Sequence, residues 1–404
     1  MRFGAAMKRD LRLDFFRGLS LWMIFLDHIP SHRVIDVASW VTIRNYGFSD
    51  AAEIFIFVSG YTASLVYGRK MWQQGFAVGS ARILRRVWQI YVAHLFLFAF
   101  YVAEVGYAAA KFGAPNFENY TNTSIFFRDP GTAMAQALLL HFKPVDLDVL
   151  PVYILVLGAF PPTLWLLQRA PKLVLAGSAA LYACVWLFGW NLSAYPDGLW
   201  YFNPFAWQFL FVLGAWCAAG GAERLRGVTE SRIVIVAAAI CVVVAFFIAM
   251  GWHSRSFAAI QPSWLTQWII NHPIDKTDVH PFRLLHFLAV TLIVLRFVPR
   301  EWVAWQAPVF RQAILCGQHS LEIFCAGVLL SFAAHVILFE WAHGIVAEIV
   351  VSASGILSMV CLASLMAWYQ GLETARRNLS PIAGAMMPLT PEGQQIPRIS
   401  GGAS

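Results

Sequence analysis

Residues 11–30 read LRLDFFRGLSLWMIFLDHIP. A helix of this length extends about 30 Å, the thickness of a bilayer's hydrocarbon core. The stretch is mostly apolar, yet Asp14, Arg17, Asp27 and His28 interrupt it. A signal peptide's apolar region would not carry such groups, and no A-x-A-like cleavage site is present. The stretch is therefore expected to stay as a first membrane helix. Apolar blocks of similar length recur at about 51–68, 87–107, 148–168, 173–190, 203–220, 231–251, 281–299, 316–340 and 345–369. The expected fold is thus all-α: a polytopic integral membrane protein of about ten helices.

Composition agrees. Of 404 residues, 59% are hydrophobic and 13% charged, where a soluble domain carries about 25% charged residues. There are 32 Phe, 17 Trp and 12 Tyr. This excludes a disordered chain, a nucleic-acid-binding domain and a disulfide-stapled secreted module. Cys184, Cys217, Cys241, Cys316, Cys325 and Cys361 all fall in or beside apolar blocks without a CxxC pair. They read as small hydrophobes, with no disulfide framework, metal site or permanently bound cofactor expected.

The net charge of +7 matters less than its placement. With the N-terminus inside, most Lys and Arg fall on the cytoplasmic segments, including Arg69, Lys70, Arg82, Arg85 and Arg86. The positive-inside rule then puts both termini in the cytoplasm. Residues 1–375 are expected to form one transmembrane domain. The Pro- and Gly-rich residues 376–404 are expected to be a disordered cytoplasmic tail. No loop is long enough for a soluble catalytic domain, so any chemistry belongs to the membrane domain. Two apolar stretches in the outer loops, Ala133 to Phe142 and Trp264 to Ile270, are too short to span and are expected in the interface or as re-entrant segments.

Ionisable groups inside a span are costly and usually face a cavity or a partner. Arg17 and His28 share one face of the first helix, about 16 Å apart along its axis. Asp14 can pair with Arg17 three residues on, which leaves Asp27 and His28 without a local partner. The second helix begins with Asp50 and Glu53 on a common face, and Glu53 lies one turn in, at the depth expected for His28. A histidine oriented by a carboxylate is a general-base pair suited to activating a hydroxyl. The other reading is that the two side chains only lock the helices together.

Arg17 to His28 resembles the R-x10-H pattern of membrane acyltransferases that decorate cell-surface sugars, and residues 55–60, FIFVSG, resemble their FF-x-SG segment. The segments LDFFRGLSLWMIFLDHIP (13–30), GFSDAAEIFIFVSGYTAS (47–64), LDVLPVYILVL (147–157), FNPFAWQFLFVLG (202–214), DKTDVHPFRLLHFLA (275–289) and GQHSLEIFC (317–325) more closely resemble the OpgC-type proteins of bacteria.

The resemblance implies a multi-pass enzyme of the bacterial inner membrane. Such an enzyme carries succinyl groups from cytoplasmic succinyl-CoA to glucose hydroxyls of osmoregulated periplasmic glucans. It implies His28 as the catalytic base and Glu53 as its acidic partner, with Asp27 and Asp50 in support. The chain departs from the wider acyltransferase pattern at His319-Ser320 and Glu322, where histidine precedes the serine. His319 and Glu322 are placed with His286 on the acyl-carboxylate or acceptor side. The basic loop Arg69, Lys70, Arg82, Arg85 and Arg86 is expected to hold the CoA phosphates, or else to set topology against anionic lipid. Arg17 lies on the path of the acyl arm or pairs with Asp14. Ser59, Tyr61 or Arg283 would stabilise the oxyanion, and Arg283 could grip the free succinyl carboxylate. Trp200 and Trp252 could stack on sugar rings. The competing expectations are an O-acetyltransferase of another surface glycan, and a proton-coupled transporter or glucan exporter without acyl chemistry. Oligomeric state is not readable.

Overall fold

The computed structural model describes residues 9–29, 38–113 and 115–385. Among them there is no strand, only one isolated bridge between Ser193 and Leu199. The helices used below are α1 (Leu11–Asp27), α2 (Ala51–Gln74), α3 (Phe76–Phe112), α4 (Val149–Gly158), α5 (Phe160–Leu167), α6 (Pro171–Phe188), α7 (Pro204–Trp216), α8 (Arg232–His253), α9 (Pro281–Phe297), α10 (Pro308–Gln318), α11 (Ser320–Glu340) and α12 (Ile345–Ala385). One compact unit runs to Ala363 and a second begins at Ser364; every side chain of the candidate site lies in the first. The tail expected from residue 376 begins inside α12, and residues 386–404 lie outside the described residues.

Among the described residues, seven helices are long and apolar enough to cross a bilayer: α2, α3, α6, α7 with its continuation to Arg224, α8, α11 and α12. The pair α4–α5, bent by 54°, makes an eighth if it is one broken span. This is a multi-pass helical membrane protein. The other two expected spans, α1 and α9, are helices of 17 residues each, about 26 Å at 1.5 Å per residue. The short apolar stretches of the outer loops become helices Pro130–Leu138 and Ser263–Asn271, nine residues each. At about 14 Å, neither reaches across a bilayer.

Lipid and apolar side chains attract helices about equally, so membrane helices associate where small residues let backbones approach. Two crossings of this kind place the site. A methyl group on Gly18 would sit 1.8 Å from the Ala313 carbonyl oxygen, and one on Gly317 would sit 1.9 Å from that of Asp14, so α1 and α10 are in backbone contact. Gly60 of α2 and Gly214 of α7 meet Phe211 and Phe57 in the same way, at 1.9 and 2.1 Å. The two crossings leave α1 and α2 central, with α3 packed against α2 and α11 against α1. Helices α6 and α8 turn most of their apolar surface outward, as lipid-facing helices do.

Candidate active site

A large cavity, about 760 Å³, opens at the end of the bundle where α1 stops and α2 starts. His28 ends α1: its backbone N–H closes the last turn, and its ring lies beside the cavity. The Nδ1 atom contacts the Ile24 carbonyl oxygen. A carbonyl only accepts, so Nδ1 carries a proton, and Nε2 is the ring nitrogen left to exchange one. That Nε2 lies 3.3 Å from Asp146 Oδ1. Asp146 comes from the loop before α4, at a φ of +74°. This left-handed conformation is uncommon for a residue other than glycine, and aspartate tolerates it better than most.

Burial raises the Asp146 carboxyl above the usual carboxylate range, with His28 opposing. Asp148 is pushed up to about 7, again by burial, with Lys143 opposing. Burial lowers the Lys143 amine to about 8, with Asp148 opposing. Lys143 donates to the Leu140 carbonyl at 3.2 Å, and its Nζ sits 3.9 Å from the centre of the Trp200 ring.

Glu53 is elsewhere. It has no exposed surface. One carboxylate oxygen accepts the Asp50 backbone N–H at 3.0 Å, while the Asp50 side chain accepts the Ala52 N–H at 2.9 Å. This reciprocal arrangement is a capping box at the start of α2. The other Glu53 oxygen lies 2.7 Å from Arg283 Nη2 and accepts Arg283 Nε–H at 2.8 Å. Asp50 closes the network through Arg283 at 3.1 Å and Lys276 at 2.7 Å. Two carboxylates and two cations therefore balance under the cavity floor. Burial alone would raise the Asp50 carboxyl, but Lys276 and Arg283 hold it well below the usual range. Burial opposes charge on Lys276 as well, and Asp50 and Glu53 outweigh it, so its amine is raised.

A second cavity, about 130 Å³, lies toward the other end of α1 and is lined by Arg17, Ser59, Thr62, Tyr67, Arg86, Tyr153 and Ser320 among others. Arg17 donates from Nη2 to the Val58 carbonyl at 3.2 Å and to Thr62 Oγ1 at 2.7 Å. Its buried Nε has no partner among the described residues.

The family model described as OpgC protein matches residues 9–371. The chain belongs to the OpgC family. Neither a curated protein nor a solved structure matches it. Membership makes this OpgC-family chain an acyltransferase-type membrane enzyme that acts on glucans.

Several expectations need correction. The His28–Glu53 pair does not form, because Arg283 and the Asp50 amide occupy Glu53, and Asp146 meets His28 instead. Asp14 pairs with Arg9 at 2.6 Å and not with Arg17, whose guanidinium turns toward α2. Arg283 lines the large cavity, but Nε and Nη2 are committed to carboxylates, so the fork needed for a two-pronged grip is taken. Ser59 lies in the second cavity and Tyr61 lines neither, so neither donor stands beside His28. Helical rise explains this: Ser59 is six residues past Glu53, about 9 Å further along α2.

His286 is buried against Ser49, accepting or donating at Oγ over 2.8 Å, and braces the turn before α2. His319 is buried between α10 and α11, and Glu322 is exposed. Their neighbours Ser320 and Leu321 line the Arg17 cavity, so both stand far from the acceptor side. Of the basic loop, Arg86 reaches that cavity. Arg82 donates to Gln74 at 2.9 Å, while Arg69, Lys70 and Arg85 line neither cavity. Asp27 and Asp50 do line the large cavity, and Asp27 accepts from Thr42 at 2.7 Å. Trp252 lines it as well, whereas Trp200 is 2% exposed and packed under Lys143.

Asp146, Asp148, Lys143 and Arg44 were missed. The signal for the first three was present in the sequence: the segment HFKPVDLD (141–148) puts three charges directly before an apolar run.

Proposed function

We propose that this chain transfers succinyl groups from cytoplasmic succinyl-CoA to glucose hydroxyls of periplasmic glucans in the bacterial inner membrane. In this reading α1 and α9 also cross the bilayer, giving ten spans with both termini in the cytoplasm. The large cavity then opens to the periplasm, and the Arg17 cavity lies toward the cytoplasm. One observation carries the reading: His28, with Nδ1 held by the Ile24 carbonyl and a carboxylate 3.3 Å from Nε2, lines the large cavity on the same helix whose Arg17 lines the second.

The chemistry follows from that placement. A glucose hydroxyl oxygen attacks the thioester carbonyl while His28 Nε2 takes the hydroxyl proton. Asp146 holds the imidazolium that forms. The C–S bond then breaks, the new ester stays on the glucan, and the CoA thiolate recovers the proton from His28. Arg17 and Arg86 suit the polar donor arm on the cytoplasmic side. Tyr195, Tyr201 and Trp252 give the outer cavity flat apolar faces beside Asn45 and Asp197, a mixture suited to sugar rings. Arg44 lines the same cavity with the Asp27 carbonyl as partner at 3.3 Å. It is the cation assigned to the free succinyl carboxylate.

The test is vesicle reconstitution with labelled succinyl-CoA on the Arg17 side and glucan on the His28 side. The proposal expects label in ester linkage on the glucan. Label that crosses the membrane without forming an ester indicates a transporter, and label from acetyl-CoA alone indicates an acetyltransferase.

A further inference from the structure

Between the two cavities lies a void of about 10 Å³, room for roughly one water. Its walls connect the cavities. His28, Asp146, Ile24 and Val149 face both the void and the large cavity. Among the described residues, Phe324 of α11 is the side chain that faces both the void and the Arg17 cavity. Phe324 is 2% exposed, and its ring stacks on Phe55 of α2 with centroids 6.2 Å apart and planes 29° apart. The wall side chain common to the Arg17 cavity and the void beside His28 is thus an aromatic ring. An aromatic ring can turn aside about its side-chain torsions, whereas a helix cannot part without losing its packing.

We propose that Phe324, backed by Phe55, is the constriction that an acyl arm displaces to reach His28, and that its width selects slender acyl groups against branched or cyclic ones. The same ring keeps water from the outer cavity out of the donor pocket while no arm is threaded. The inference rests on the acyl-CoA reading for its selectivity half, but the seal exists whatever the donor.

Two measurements separate these halves. The first uses the full chain in vesicles with its six native cysteines replaced by alanine and Ser59→Cys added as a reporter in the Arg17 cavity. A charged, membrane-impermeant thiol reagent is applied from the His28 side. Phe324→Ala is expected to speed labelling at least ten-fold, with Phe324→Leu intermediate and serving as the gentler variant if Phe324→Ala fails to insert. Equal labelling with Phe324 and Phe324→Leu or Phe324→Ala overturns the constriction. The second compares transfer from succinyl-CoA and from benzoyl-CoA. Phe324→Ala or Phe324→Leu is expected to raise the benzoyl-to-succinyl ratio at least ten-fold, and Phe324→Trp to lower succinyl transfer. An unchanged ratio overturns the selectivity. If the chain with Phe324 intact transfers from no acyl-CoA, the donor reading fails, and the labelling result still decides the seal.

Discussion

Asp146→Asn separates the observed site from the one the sequence suggested. The substitution keeps the side chain's volume and removes its charge beside His28. At 3.3 Å, a carboxylate and an imidazolium attract by about 5 kcal/mol at an effective dielectric of ~20 and by about 1 kcal/mol in water. His28 is 31% exposed at its side chain and Asp146 11%, so the pair belongs between these limits. A loss of about 3 kcal/mol, felt only once His28 is protonated in the transition state, slows kcat by roughly a hundred-fold at ~1.4 kcal/mol per decade.

The assay is initial-rate succinyl transfer in vesicles, with KM for donor and acceptor measured separately. Both KM values are expected to stay near those of the parent chain. Glu53→Gln is the control. It weakens a buried ion pair with Arg283 and loosens the capping box, so it is expected to lower the melting temperature while kcat of the folded fraction stays within about three-fold. Asp146→Asn at full rate beside a folded but inactive Glu53→Gln would refute the assignment.

Arg283→Gln leaves Asp50 and Glu53 with Lys276 as the remaining cation of the network. Breaking a buried pair costs about 3–5 kcal/mol, so a thermal melt should show marked destabilisation, partly relieved in Arg283→Gln/Glu53→Gln. Gly60→Ala forces a methyl to within 1.9 Å of the Phe211 carbonyl and should cost about 1–3 kcal/mol by overpacking. Gly177→Ala, which meets nothing within 4 Å, should leave the melting temperature unchanged or raise it. The Asp148 carboxyl, raised to about 7 by burial, holds a proton in the folded state that the unfolded chain releases near pH 4. Its stabilising contribution is therefore complete below that pH and lost as pH rises through about 7. The melting temperature should fall between pH 5 and 7.5 in the parent chain and fall less in Asp148→Asn. Arg44→Gln should reduce succinyl transfer more than acetyl transfer, read as the ratio of the two rates.

The architecture was legible because it depends on apolar length. Helices occupy all ten expected segments, and the bend between α4 and α5 falls just before Pro161 and Pro162. His28 was legible for a similar reason, since one residue per 100° of turn places it over Arg17 and at the end of a span. Its partner was not. Depth along a helix does not say which way a side chain points, and Glu53 at the right depth points to α9. The pattern Asp50-x-x-Glu53 before an apolar run was itself a capping-box signature, and it gave Glu53 a local role that competed with the catalytic one. Asp146 sits in a loop with positive φ, where neither helical nor strand periodicity applies. Its contact with His28 bridges 118 positions of sequence and is set by where the loop before α4 meets the end of α1.

The most direct measurement is mass spectrometry of periplasmic glucans from cells making either the parent chain or His28→Ala at equal membrane abundance. The account predicts glucans bearing succinyl groups with the parent chain and unsubstituted glucans with His28→Ala. Succinylated glucans at the parent level in the His28→Ala cells would contradict it.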